Sequence, residues 1–143
     1  MLSKIHVPPI KIQGIKTKLV PWIQENIELS DDTRWIEPFL GSGVVGFNLA
    51  KKNALFADIN SHAINLYQQI KEKKINSTLI KQFLVKEGRL LSEKGQSHYN
   101  YVRDRFNEDK NPLDFFSASA MRQLIVKLDQ RAGENGESNG EEN

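Results

Sequence analysis

Apolar residues at Leu19, Val20, Ile23 and Ile27 follow the three-and-four spacing of an amphipathic helix, which predicts a helix from Lys16 to about Ile27. Pro21 then falls in its first turn, where a missing N–H costs little. Upstream, Pro8-Pro9 and Gly14 predict an extended or looped arm over residues 1–15. After a turn at Ser30-Asp31-Asp32, Arg34 to Leu40 (RWIEPFL) reads as a short strand broken near its end by Pro38. Gly41-Ser42-Gly43 leads into a helix over Val44–Ala50 with a small-residue face. Asn53 marks a turn, and Ala54 to Ala57 reads as a second short strand ending at Asp58. Ser61 is the expected N-cap of a helix reaching about Lys73, with Ile64, Tyr67 and Ile70 on its apolar side. Two more helices are predicted around Ser77–Leu91 and Gln96–Asn107. Strand, glycine loop, helix, acid-ended strand and helix form the opening of a doubly wound α/β fold.

From Asn111 the pattern changes. Ser117–Leu128 can form a helix with a poor apolar face, and Gly133–Asn143, built of Gly, Glu, Asn and Ser, is expected to be disordered. The reading thus gives a Rossmann-like sheet with helices on both faces, present in part, followed by a helical segment and a disordered tail.

Composition narrows the function classes modestly. The chain has 143 residues, 38% hydrophobic and 27% charged, enough for one domain with a real core. No apolar run is long enough to span a membrane, and the N-terminus lacks a secretory h-region. The absence of cysteine excludes disulfides and thiolate metal sites, and the cytoplasm is the expected compartment. His6, His62 and His98 are isolated, read as surface residues, and imply no metal. The last thirteen residues carry one Arg and four Glu, so the overall charge of +2 leaves +5 on residues 1–130. That excess is compatible with a polyanionic partner. Lys71, Lys73 and Lys74 could meet DNA phosphates, although a charge run ending a helix is usually a solvated face. Arg103 and Arg105 are further candidates of the same kind.

The chemistry concentrates in Glu37-Pro38-Phe39-Leu40-Gly41-Ser42-Gly43 and in Asp58, seventeen residues after Gly41. At the carboxyl edge of a parallel sheet, a glycine turn lets backbone approach a ligand where a side chain would clash. The following helix offers unpaired N–H groups, and an acid ending the second strand can accept hydrogen bonds from ribose hydroxyls. An adenosine-bearing ligand fits this spacing; the bland alternative is a tight structural turn with a capping Asp. Gly41-x-Gly43-x-x-Gly46 formally matches a dinucleotide fingerprint, so a dinucleotide-binding domain is a second alternative. However, a carboxylate at Glu37 suits an ammonium and a sulfonium better than a pyrophosphate, which it would repel. No G-K-[ST] follows the glycines, which excludes a P-loop.

These residues resemble a known family. E-P-F-L-G-S-G-V-V-G-F-N-L is similar to the D/E-P-F-x-G-x-G motif of the Dam-like, D12 class DNA adenine methyltransferases. A-D-I-N-S-H-A-I-N-L-Y resembles that family's D-x-N-x-x-L-I-x-x-Y segment, and Lys11-Ile12-Gln13-Gly14-Ile15-Lys16 its K-W-x-G-G-K arm. The resemblance implies S-adenosylmethionine as cofactor and double-stranded DNA as substrate. It places Glu37, Gly41 and Gly43 at the methionine end of the cofactor and Asp58 at its ribose. Lys11 and Lys16 would close the pocket from the arm, and Gly14, Pro38, Phe39 and Asn60 complete the cofactor-binding set. Ile12 stands where the family has an aromatic residue and Ile15 where it has a second glycine, which alters the packing of the arm. Tyr67 and Ile64 read as helix core rather than cofactor contacts.

The family's catalytic Asp-Pro-Pro-Tyr motif, which clamps the amine of a flipped adenine, has no counterpart in this sequence. Asn111-Pro112-Leu113-Asp114 lacks the second proline and the aromatic in register, so no catalytic residue is assigned. The resemblance covers roughly residues 8–116. It divides the chain into a cofactor-binding part over 1–76, the helical start of a target-recognition region over 77–116, and an atypical tail over 117–143. A frameshift near Phe116–Ala120 would account for that tail. The expectation is a truncated, cofactor-binding piece of an adenine methyltransferase that is inactive alone. The alternative is a non-catalytic subunit of a split enzyme, with a second chain carrying the remainder; neither a membrane nor a metal is implied.

Overall fold

The computed structural model describes residues 4–10, 12 and 14–137, which fall into two compact units, the first ending at Lys74 and the second beginning at Ile75. Lys11 lies outside the described residues. Among the described residues the architecture is mixed and dominated by helix, with six helices and one parallel sheet of two strands.

In the first unit, helix α1 (Leu19–Asn26) starts later than the apolar spacing suggests, because Lys16 to Lys18 form a turn that leads into it. Pro21 stands in its first turn, as expected. Strand β1 is only Ile36–Glu37 and strand β2 only Leu55–Phe56, paired in parallel with Ile36 opposite Leu55 and Glu37 opposite Phe56. Pro38 has no N–H to give a ladder, so β1 ends there rather than running to Leu40. The connection survives as a looser pairing, with Ala57 N–H donating to the Glu37 carbonyl and Leu40 N–H to the Ala57 carbonyl, both at 2.9 Å. That last bond brings the segment after β1 beside the segment after β2.

Helix α2 (Val44–Leu49) and helix α3 (Ser61–Lys71) complete the unit. The N-cap of α3 is Asn60 rather than Ser61: the Asn60 Oδ1 accepts the Ala63 N–H at 3.2 Å. Asn and Ser are about equally good caps, so the sequence alone could not decide between neighbours. Val20 of α1 meets Val44, Val45 and Leu49 of α2 in the core, and Ile5, Ile23, Leu29 and Trp35 pack around them.

The second unit is helical: α4 (Ser77–Lys94), α5 (Gln96–Asp109) and α6 (Pro112–Glu137). Asn111 starts α6, its Oδ1 accepting the Leu113 N–H at 2.9 Å, with Pro112 in the first helical position. The segment is thus a helix start. The tail differs from its composition-based expectation. A single helix runs from Pro112 to Glu137, through the 116/117 division and into the segment read as disordered; residues 138–143 lie outside the described residues. Leu, Gln, Arg, Ala and Glu are good helix formers, and helical hydrogen bonds close within the segment without needing an apolar face. Its first half does carry a core face, because Met121, Ala118 and Ile125 pack with Leu91, Val102 and Tyr99.

The same unit holds a polar cluster, where the sequence reading had His98 on the surface and Arg105 as a candidate phosphate contact. His98 is 3% exposed, and its Nε2 sits 2.7 Å from Oε2 of the fully buried Glu87. Arg105 is no free phosphate ligand: its Nε donates to Asp114 Oδ2 at 2.8 Å, and its Nη2 reaches Asp114 Oδ1 and, at 3.2 Å, Glu87 Oε1. Its guanidinium also lies 5.2 Å from the Tyr101 ring centre. Arg103 is exposed and pairs with its neighbour Asp104.

Candidate functional site

The loop after β1 is built around backbone that few residues could supply. Gly41 and Gly43 both have positive φ, +55° and +81°. At Gly43 a Cβ would come within 2.3 Å of the Phe47 ring, so any side chain there would expel the aromatic that supports the loop. Phe47 in turn meets Phe56 and Tyr67 edge to face, at centroid distances of 5.2 and 4.8 Å.

Three side chains hold this loop in place. Asp58 Oδ2 accepts the Gly41 N–H at 2.6 Å while its Oδ1 accepts the Asn60 N–H at 2.8 Å. These two backbone donors, chiefly that of Asn60, pull the Asp58 carboxyl below its ordinary pKa. Tyr67 donates its hydroxyl to the Ser42 carbonyl at 2.5 Å, and burial pushes that phenol far up. Tyr67 is therefore more than a core residue, although the spacing that placed it on the apolar face of α3 was sound.

Glu37 is the third. Its Oε2 accepts the Trp35 indole N–H at 3.0 Å, and the Gly46 backbone bonds the same carboxylate. The Gly46 bond uses one of the N–H groups that a helix start leaves unpaired. A Cβ on Gly46 would come within 2.3 Å of Glu37 Oε2 and 2.4 Å of the Phe56 ring, so this glycine is what lets α2 sit directly on the two strands. Burial raises the Glu37 pKa; the bonds from Trp35 and Gly46, and the charge of Lys16, oppose that rise without cancelling it. Lys16 acts on Asp58 in the same sense.

Gly14, Lys16, Glu37 and Gly41 line one small cleft, with Ile12, Ile15 and Ser42 beside them. The arm and the glycine loop, far apart in sequence, thus face each other across about 30 Å³. Pro38 and Phe39 lie outside this lining, and Phe39 is 81% exposed at the loop's edge. Gly43 is buried against Phe47, and Asn60 caps α3. A larger groove of about 790 Å³, lined by apolar groups such as Val7, Leu55, Phe56 and Ile70, contains none of the expected site residues.

Two participants escaped the sequence reading. Trp35 lies two residues before Glu37, and the period of two in a strand puts both side chains on one face, a signal that was available. Gly46 was read only as part of a dinucleotide-like spacing, and its role as a close-approach glycine needs the fold.

Among the described residues no group of three or more His, Cys, Asp or Glu side chains could hold a metal ion, and no helix is long and apolar enough to cross a membrane.

Comparison with known proteins places the chain in a family. Over 118 residues the chain is 34% identical to the type II methyltransferase M.MjaIII of Methanocaldococcus jannaschii, covering 75% of this chain and 40% of that protein. Over 71 residues it is 38% identical to the type II methyltransferase M1.LlaDCHI of Lactococcus lactis subsp. cremoris, covering 49% of this chain and 25% of that protein. The chain thus spans well under half the length of these curated relatives. Residues 13–141 match the family of D12 class N6 adenine-specific DNA methyltransferases, a match that continues through the helix α6. With this match over most of its length, the chain belongs to the D12 class N6 adenine-specific DNA methyltransferase family.

Proposed function

We propose that this chain is the cofactor-binding part of an S-adenosylmethionine-dependent DNA adenine methyltransferase. The observation that carries the proposal is the convergence of Gly14, Lys16, Glu37 and Gly41 on one cleft, with Asp58 tied to the Gly41 backbone.

The donor set suits the cofactor. Burial raises the Glu37 pKa against the bonds from Trp35 and Gly46 and the charge of Lys16, so an incoming ammonium or sulfonium would favour its ionised form. A pyrophosphate would do the opposite, which weighs against the dinucleotide reading. At Gly41 a Cβ would meet no atom within 4 Å, so the loop backbone is open to a ligand there. Bound S-adenosylmethionine would supply an electrophilic methyl group. Glu37 would hold the amino-acid end, Gly41 and Gly43 would allow close approach of the loop, and Asp58 would keep the loop rigid while facing the ribose. Pro38, Phe39 and Asn60 would frame the adenosine side. A space of about 30 Å³ is well below the several hundred that ligand pockets usually offer, so the cleft would have to widen on binding.

The two strands would be the centre of a larger Rossmann-like sheet. Ile36 and Leu55, opposite each other in the ladder, are 59% and 47% exposed, an apolar face that helices packed on a sheet extended by further strands would cover. In a full-length member those strands, and the catalytic motif, would come from the remaining polypeptide, whether in the same chain or a second one. Residues 1–76 would then hold the cofactor and 77–116 would begin the DNA-recognition part, with α6 carrying that part onward in place of a separate tail.

The test is equilibrium dialysis with labelled S-adenosylmethionine, competed by unlabelled S-adenosylmethionine and by NAD. Displacement by the first and not the second is expected. Displacement by NAD alone would replace this reading with the dinucleotide one.

A further inference from the structure

The Trp35 indole Nε1–H donates to Glu37 Oε2 at 3.0 Å, across the spacing of two that puts alternate side chains on one face of extended backbone. Two contacts fix that donor. The Trp35 ring packs against the core cluster of Val20, Val44, Val45 and Leu49. Its carbonyl accepts the Leu55 N–H at 2.8 Å, which ties its backbone to the start of β2. A half-buried indole N–H needs an acceptor, and Glu37 supplies it. The Gly46 backbone bonds the same carboxylate. Two donors leave an ionised carboxylate with lone pairs to spare. Glu37 lines the small cleft, and Trp35 does not.

We propose that Trp35 is a positioning residue for ligand binding: it orients the Glu37 carboxylate for the cleft and sets the pH range over which that carboxylate accepts a cation. This rests on the reading of the cleft as the S-adenosylmethionine site, and it assigns a role to a residue that does not line the cleft. A hydrogen bond to a charged acceptor is roughly twice as strong as one to a neutral acceptor. The Trp35 bond therefore favours ionised Glu37 and opposes the burial that favours the neutral acid. Charged groups around Glu37 are few. Neither α2 nor β2 carries a charged side chain, and Lys16 acts on both Glu37 and Asp58. Asp58 is itself engaged by the Gly41 and Asn60 N–H groups. A Cβ on Gly46 would strike Glu37 directly, so Trp35 is the donor whose bond can be separated from its packing. A bound ammonium or sulfonium would favour the same ionised state, which couples indole and ligand through one proton.

The chain has two tryptophans, Trp22 and Trp35, so the nitrogen–proton correlation spectrum of the isotope-labelled protein holds two indole signals, which Trp22→Phe assigns. The Trp35 signal is expected to titrate between about pH 4 and about pH 8, the span from the ordinary carboxylate range to neutrality. Glu37→Gln should abolish that titration, and saturating S-adenosylmethionine should lower its midpoint. Trp35→Phe keeps a ring in the core and removes the donor. By equilibrium dialysis its affinity for S-adenosylmethionine should match wild type where Glu37 is fully ionised. Below that range it should fall by up to about tenfold, with the acid limb of binding moved up by about one pH unit. In the Glu37→Gln background Trp35→Phe should leave the pH profile unchanged. A loss of affinity equal at every pH would make Trp35 a core residue alone and overturn the proposal, as would a Trp35 signal that does not respond to Glu37. The indole titration is read on the wild-type fold, so it decides the matter even if Trp35→Phe folds poorly. A Trp35 signal that titrates in a chain unable to bind S-adenosylmethionine would overturn the reading of the cleft instead.

Discussion

Asp58 and Gly41 are joined across seventeen residues by a 2.6 Å hydrogen bond from the glycine N–H to a carboxylate oxygen, while the other oxygen takes the Asn60 N–H. The spacing between glycine loop and acid, read from sequence as a ligand motif, is thus also a structural tie. The two readings are compatible, because each carboxylate oxygen has a second lone pair. The tie fixes where the loop stands, and the loop fixes what can approach it.

That bond gives a prediction about acid stability. The native Asp58 pKa is lowered, so its contribution is fully present above the ordinary carboxylate range and lost as pH falls through the lowered native value. Asp58→Asn should flatten the acid limb of thermal stability against pH. Asp58→Ala should cost about 2 kcal/mol at neutral pH by urea unfolding, the worth of a charge-assisted hydrogen bond.

Glu37 behaves in the opposite sense. Its native pKa is raised, so the native state favours the protonated acid; that stabilisation is present at low pH and lost as pH rises from the ordinary range through the native value. Glu37→Gln should therefore leave the ligand-free chain at least as stable at neutral pH. The same substitution should weaken S-adenosylmethionine binding by about tenfold or more, because the charge that faces the ligand's cation is gone. Calorimetric titration and thermal unfolding on one preparation check both arms.

Gly46→Ala is the sharpest packing test. Its Cβ would stand 2.3 Å from Glu37 Oε2 and 2.4 Å from Phe56, so α2 would have to move off the strands. A loss of about 1–3 kcal/mol is expected from overpacking, measured by urea unfolding. A chain of wild-type stability would mean that α2 does not sit as described.

In the second unit the contrast is between two arginines two residues apart. Arg105→Ala would leave the buried Glu87 and Asp114 without their common cation and should cost about 3–5 kcal/mol. Arg103, exposed beside Asp104, should cost no more than about 0.5 kcal/mol when replaced by Ala. Urea unfolding of the two variants compares them directly.

The order of elements was legible because local patterning decides it: apolar spacing placed α1 and α3, two further helices were expected where α4 and α5 stand, and Gly41-Ser42-Gly43 marked the loop between β1 and α2. The convergence of Lys16, Glu37 and Gly41 was legible only through the resemblance to a family, since nothing in the spacing brings the arm to the loop. His98 and Arg105 were misread because each is an ordinary surface residue in isolation; their burial beside Glu87 and Asp114 depends on three helices meeting, which a single chain pattern does not encode. The course of α6 through residues with little to bury was missed for the reverse reason. Composition reports on the core a segment can build, whereas a helix holds its backbone bonds within itself.

The central claim is that the loop between Glu37 and Gly43, tied to Asp58, forms the cofactor half of a methyltransferase site. Calorimetric titration of the chain with S-adenosylmethionine, repeated on Asp58→Ala, tests it most directly. Saturable one-to-one binding, lost or weakened at least tenfold in the variant, is the predicted result. A folded wild-type chain that gives no heat of binding and no change in melting temperature with the ligand would contradict it.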